Sequence, residues 1–196
     1  MKQSKVEDFL TAEEESQVID AIRTAEKNTS GEIRVHLEAH SEIDAFDRAA
    51  EVFDFLHMNN TKNSNGVLIY VAVEDRTLVI LGDTGINDVV PPHFWESTKD
   101  AIINGFKNGD IKQGLIDGIL MAGEQLKAHF PYQKGDKNEL PDSISTRKSC
   151  SGKHPYHLFI GAFFCSSLPY RFSHNLTFPK LPQKVSRPLC TITSIS

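Results

Sequence analysis

Apolar and polar positions alternate along this chain with two periods, and the switches between them mark out the secondary structure. Thr11-Ala12-Glu13-Glu14 has the form of a capping box, in which a Thr hydroxyl and a Glu carboxylate satisfy the free backbone donors of a helix start. Val18, Ile19 and Ile22 then supply one apolar stripe, predicting a helix to about Lys27. Asn28-Thr29-Ser30-Gly31 stops it. Glu32 to Glu38 alternates strictly, placing Ile33, Val35 and Leu37 on one face of a strand whose other face, Glu32, Arg34, His36 and Glu38, is expected to be wetter.

Ile43, Phe46, Ala50 and Phe53 recur at helical spacing and predict a second helix from about Ser41 to His57, ended by the polar run Asn59 to Gly66. Val67 to Val73 is continuously apolar between turn residues, as in a central strand covered on both faces. Strand, helix and strand make a right-handed parallel crossover. The short Glu74-Asp75-Arg76 link cannot cross a sheet, so Thr77 to Leu81 must return antiparallel and bring Gly82 back beside Gly66. A loop from Gly82 to Pro92 leads to helices at about His93 to Lys107 and Ile111 to His129, separated by Gly109 as a stop and Asp110 as an N-cap. The expected fold is α/β, a three-layer α/β/α sandwich around a small mixed sheet of three to four strands. The pattern gives no position for the fourth.

Charge divides the chain in two. All 26 acidic residues lie between Glu7 and Asp142; with 14 Lys and Arg in that stretch the first part carries −12, and the last 54 residues carry +7. Residues 1–142 are therefore expected to form one domain, and 143–196 a basic, disordered tail, dispensable after about Ser145. The tail has five of the nine prolines, all three cysteines (Cys150, Cys165, Cys190) and an unpatterned apolar patch, Leu158 to Phe164. It reads either as a basic interaction arm or, preferably, as non-native sequence such as a shifted reading frame. The Asn175 sequon carries little weight without secretion.

The acidic surface of the first part argues against nucleic acid and suits cations. The cysteine positions exclude disulfide or thiol chemistry from the domain. No apolar run approaches a membrane span and the N-terminus lacks a secretory core, so a cytoplasmic monomer is expected. The histidines are scattered, and Phe94 and Trp95 fit helix packing better than a pocket lining. Asp44, Asp47 and Glu51, with Glu38, Glu74 and Asp75, read as a solvated surface partly paired with Arg48 and Arg76.

Leu10 to Glu14, Gly31 to Val35, Asn65-Gly66-Val67-Leu68-Ile69-Tyr70-Val71-Ala72, Glu74-Asp75-Arg76, Gly82-Asp83-Thr84-Gly85-Ile86, and Phe106 to Asp110 with Gly114-Leu115 follow one another in an order that resembles the TPM domain. That family includes a thylakoid lumen protein, photosystem II repair factors, a receptor modulator and many bacterial envelope proteins, and this chain looks like a stand-alone bacterial member over Phe9 to His129. The resemblance implies an α/β/α fold with an acidic crevice for calcium or another divalent ion, and phosphatase activity in some members. The sequence departs from the family's pattern at Ser64, where an acid commonly precedes Asn-Gly-Val, and at Pro92, where another commonly follows a proline. Those departures weaken a transferred catalytic role more than metal binding.

The residues make their own case for a metal. Asp83 and Asp88 flank Gly85, and the antiparallel return brings them to the sheet end that carries Glu32 and Asn63-Ser64-Asn65. Oxygen-only chemistry of this kind suits Ca²⁺, or Mg²⁺, far better than Zn²⁺. The expected ligands are Asp83, Asp88, Glu32 and Asn65; the competing reading is that both aspartates merely cap turns. Two functions follow: a non-catalytic calcium-binding module acting through an unidentified protein partner, or a metal-dependent phosphatase acting on phosphate esters. The first is preferred because no nucleophile, phosphate loop or cationic clamp is evident.

Overall fold

The computed structural model describes Val6, residues 8–147 and residues 190–194. The elements, in chain order, are α1 (Ala12–Glu26), β1 (Glu32–Glu38), α2 (Ala45–Phe55), β2 (Gly66–Ala72), β3 (Thr77–Gly82), α3 (Thr84–Asn87), α4 (Glu96–Lys107), α5 (Ile111–His129), β4 (Ile144–Arg147) and β5 (Cys190–Ser194). The capping box at Thr11 forms as expected, with Thr11 Oγ1 accepting the Glu14 N–H and the Glu14 carboxylate accepting the Thr11 N–H. α2 starts four residues later than its apolar spacing suggests. Asp75 accepts the Ser41 N–H and holds the chain in a turn, so that Asp44 becomes the N-cap.

β1 and β2 run parallel through α2, and β3 returns antiparallel to β2, pairing Val67 with Gly82 and Ile69 with Ile80. Ile33, Val35, Leu37, Ile69, Val71 and Ile80 face a core shared with Ile22 of α1, Ile102 of α4 and Leu115 and Ile119 of α5. Leu68, Tyr70, Val79 and Leu81 face Ala49, Val52 and Phe53 of α2 on the other side. The three layers are those expected.

The sheet is wider than expected. It has five strands in the order β4-β1-β2-β3-β5, with β4 parallel to β1 and β5 antiparallel to β3. A domain boundary at residue 142 thus falls two residues short of a strand, and a chain ended at Ser145 would cut β4 in half and remove β5. Both strands are short and rich in Ser and Thr, which is why periodicity did not reveal them. The apolar patch Leu158 to Phe164, the sequon, Cys150 and Cys165 lie outside the described residues. Among the described residues no helix is long and apolar enough to cross a membrane.

The face of β1 expected to be wet is buried along its whole length. Glu38 is only 3% exposed, and its carboxylate accepts Nε and Nη2 of Arg48 from α2 and the hydroxyl of Tyr70 from β2. The ring of His36 stacks on Tyr70 at 5.9 Å, places Nε2 3.8 Å from Glu38, and joins Nδ1 to Ser145 Oγ of β4 at 2.8 Å. Arg34 donates to Ser143 Oγ at 3.3 Å. The charges are thus not a solvated surface; a second layer and an added strand cover them, and each finds a partner there.

Burial pushes the Glu38 carboxyl up, but His36, Arg48 and Tyr70 together outweigh it and hold it at about 2 instead of 4.5. A depressed folded value gives stability that is present above pH 4.5 and lost as pH falls towards 2. Removing one partner of a buried pair leaves an uncompensated charge, so Arg48→Met is expected to cost about 3–5 kcal/mol in urea unfolding at pH 7 and to blunt the acid-side loss. An exposed pair would cost about 0–1 kcal/mol, and that result would restore the solvated-surface reading.

Candidate metal centre

At the end of the sheet where β2 begins and β3 finishes, two loops meet. The Asp83 N–H donates to Gly66 O at 2.9 Å, which sets the segment after β3 against the segment before β2. Gly85 then lies over the backbone of that second loop: a Cβ there would stand 2.2 Å from Asn63 O and 2.7 Å from Ser64 O, so only glycine fits. Ser64 itself takes a left-handed conformation, φ 48°. The contact turns two backbone carbonyls toward α3.

Asn65 is fully buried, with 0% exposure. Its backbone N–H donates to Thr61 Oγ1 at 3.0 Å, and Nδ2 donates to Ser30 O at 2.7 Å, which fixes the other amide atom as oxygen. Asp83 caps α3, with Oδ1 accepting the Thr84 N–H at 2.6 Å. Turn capping at Asp83 therefore occurs, but it uses one oxygen only. Five buried side-chain nitrogen or oxygen atoms among the described residues lack a hydrogen-bond partner, and the two oxygens in that set are Asn65 Oδ1 and Asp83 Oδ2. Buried acceptors are nearly always paired, so two orphans on adjoining loops require an explanation.

The other two expected ligands are placed differently. Asp88 is exposed at the C-cap of α3. Glu32 is 5% exposed and already engaged, accepting the Glu139 N–H at 3.0 Å and the Leu140 N–H at 3.3 Å. Its carboxylate holds the segment that carries the chain from α5 to β4. No group of three or more His, Cys, Asp or Glu side chains is arranged to hold a metal among the described residues. An ion here would draw on side-chain oxygens, backbone carbonyls and water, a mixture that Ca²⁺ accepts and Zn²⁺ does not.

Ser30 and Thr61 aim Asn65, and their spacing in the sequence carries no motif that would have marked them. Trp95 is in the core at 1% exposure, packed edge-on against Phe94 at 4.7 Å, but it stands at the N-cap of α4, ahead of the helical stripe expected to hold it. Its Nε1 would stand 3.5 Å from a Cβ at Gly82, next to the aspartate.

Glu32 belongs to a second acidic group, with Glu26 of α1 and Asp142. Glu26 Oε1 accepts the Ile33 N–H at 2.8 Å, while Asp142 lies 3.4 Å from Arg23 Nε. Burial pushes Glu26 up; the Ile33 N–H opposes this, but the charges of Glu32 and Asp142 and a hydrogen bond to Asp142 carry it to about 9. A carboxyl held that high keeps its proton at neutral pH.

Together these features define a three-layer α/β/α domain with an oxygen-lined loop pair at one end of its sheet. The chain belongs to the TPM domain family, whose model matches residues 4–125. Among solved structures it is similar to the BA42 protein of the psychrophilic bacterium Bizionia argentinensis, at 63% identity and a TM-score of 0.69, over 72% of this chain and 98% of that one. The N-terminal domain of a P. gingivalis protein shares the fold, at 21% identity and a TM-score of 0.52, over 62% of this chain and 79% of that one. No curated protein matches the chain.

A raised folded pKa gives stability that is complete below 4.5 and lost as pH climbs toward about 9. Glu26→Gln keeps an acceptor for Ile33 and a donor for Asp142 without needing a proton. Urea unfolding at pH 5, 7 and 9 is expected to show the wild type weakening across that range and the variant weakening much less, the remaining slope belonging to Glu32, whose carboxyl burial also pushes up. Parallel slopes would mean that Glu26 is ionised in the fold.

Proposed function

We propose that this TPM domain is a non-catalytic divalent-cation module that takes Ca²⁺, and Mg²⁺ less well, and acts through a protein partner. The observation that carries the reading is the pair of unpartnered buried oxygens, Asn65 Oδ1 and Asp83 Oδ2, on loops already locked together by the Asp83–Gly66 hydrogen bond. A cation bound there would satisfy both, with the remaining positions filled by loop carbonyls and water, and Asp88 would add charge from the rim. Ordering of the 61–65 and 83–88 segments would then present one surface with the ion and another without it. Ca²⁺ is favoured over Mg²⁺ because the donors come from loops of irregular geometry, and Mg²⁺ demands a near-ideal octahedron.

The phosphatase alternative finds less support. Phosphoryl transfer needs cationic or hydrogen-bond stabilisation of the developing charge. The cation carried by these loops, Lys62, is exposed, and its backbone N–H donates to Glu139.

Because the unfolded chain cannot hold this loop geometry, Ca²⁺ at a hundredfold excess over its dissociation constant is expected to raise stability by roughly 2.7 kcal/mol, reversed by EDTA. Asp83→Asn keeps an oxygen to cap Thr84 but removes the charge, so it should lose most of that gain with little change in apo stability. Calorimetric titration and thermal melts of both proteins check this; an unaltered calcium isotherm in the variant would overturn the assignment. Hydrolysis of a generic phosphate ester that depends on metal and disappears in Asp83→Asn would replace the non-catalytic reading with the enzymatic one.

A further inference from the structure

At the opposite end of the sheet, where β2 finishes and β3 begins, a cleft of about 360 Å³ opens between the β2–β3 turn, the α4–α5 turn and the segment before α1. Its walls are apolar, formed by Phe9, Val71, Val73, Phe106 and Ile111, with Phe9 and Phe106 in edge-to-face contact at 5.9 Å. Two cations, Arg76 and Lys107, complete the lining, and both are exposed. Neither makes an ion pair among the described residues, although residues 1–142 carry a net charge of −12. Ile111 is the first residue of the 19-residue α5, whose N-terminus is capped by the Asp110 carboxylate.

Arg76 holds its place at a conformational cost. Its φ is 51°, in the left-handed region where Gly or Asn would sit more easily, and strain of this kind persists where the surroundings demand the residue. An apolar cavity of ligand size with a small number of placed charges is the usual form of a small-molecule site. Cations with no ion pair among the described residues, at the mouth of an apolar cleft on an otherwise acidic domain, select an anionic head on an apolar body.

We propose that this cleft binds a small amphiphilic carboxylate, its hydrocarbon part against Phe9, Val71, Val73, Phe106 and Ile111 and its carboxylate between Arg76 and Lys107. Arginine supplies a planar fork matched to a carboxylate, and lysine a mobile second charge. The proposal is independent of the calcium reading, because the two sites lie at opposite ends of the sheet and share no residue.

The test uses octanoate as the probe and octanol as its uncharged counterpart, each titrated into the full chain and followed by amide NMR shifts. Octanoate is expected to give saturable shifts centred on Val71, Val73, Phe106 and Ile111, and to bind at least about tenfold more tightly than octanol, the factor set by charge-assisted hydrogen bonding. The double variant Arg76→Gln, Lys107→Gln alters two exposed side chains, so its spectrum should otherwise match the wild type. It should lose that tenfold preference while still binding octanol. Equal affinity for the two probes, shifts centred elsewhere, or an undiminished preference in the double variant would each overturn the proposal.

Discussion

The Glu38 carboxylate, buried on β1 and held by Arg48 and Tyr70, is the interaction on which the arrangement of this domain depends. Each partner comes from a different element: Arg48 ties α2 to the sheet, Tyr70 ties β2 to β1, and His36, stacked on Tyr70, ties β4 through Ser145. A buried charge that loses a partner is penalised heavily, so this set of contacts permits one packing of α2 and one register of β4. Farther along the same strand face, Glu32 fixes the return of the chain from α5. A strand that looks half-exposed therefore organises one whole side of the molecule.

Against that background the loop pair at Asn65 and Asp83 stands apart. On β1 the carboxylates of Glu32 and Glu38 have hydrogen-bond donors, whereas Asn65 Oδ1 and Asp83 Oδ2 are buried and have none among the described residues. Unsatisfied acceptors cost free energy, and these are the two oxygens among the five buried side-chain atoms without a partner in the described residues, the others being nitrogens of Arg34, His36 and Trp95. The backbone around them is closely fixed, by Gly85 against Asn63 and by Asn65 to Ser30. Fixed geometry with unfilled acceptors is what a pre-organised cation site requires.

Much of this was legible in the sequence wherever the signal was local. The Thr11 capping box, the seven alternating residues of β1 and the Gly109-Asp110 break between α4 and α5 each depend on neighbours within a few positions, and the structure has them there. Distance along the chain limited the rest. The polar face of β1 looked wet because its partners are remote: Arg48 follows Glu38 by 10 residues, Tyr70 follows it by 32, and Ser145 follows His36 by 109. β4 and β5 escaped notice because short edge strands need little apolar surface. At the candidate site the hairpin return placed Asp83 and Asn65 at one end of the sheet, as the structure has them, whereas nothing local predicts that Glu139 and Leu140 donate to the Glu32 carboxylate.

The most direct test of the central claim is a crystal structure grown with Ca²⁺, and again with Mn²⁺ for its anomalous signal. An ion is expected to bond Asp83 Oδ2 and Asn65 Oδ1, with Ca²⁺ at about 2.3–2.6 Å and the other positions taken by carbonyls and water. An ion bound elsewhere on the domain, with water or protein donors satisfying those two oxygens, would contradict it.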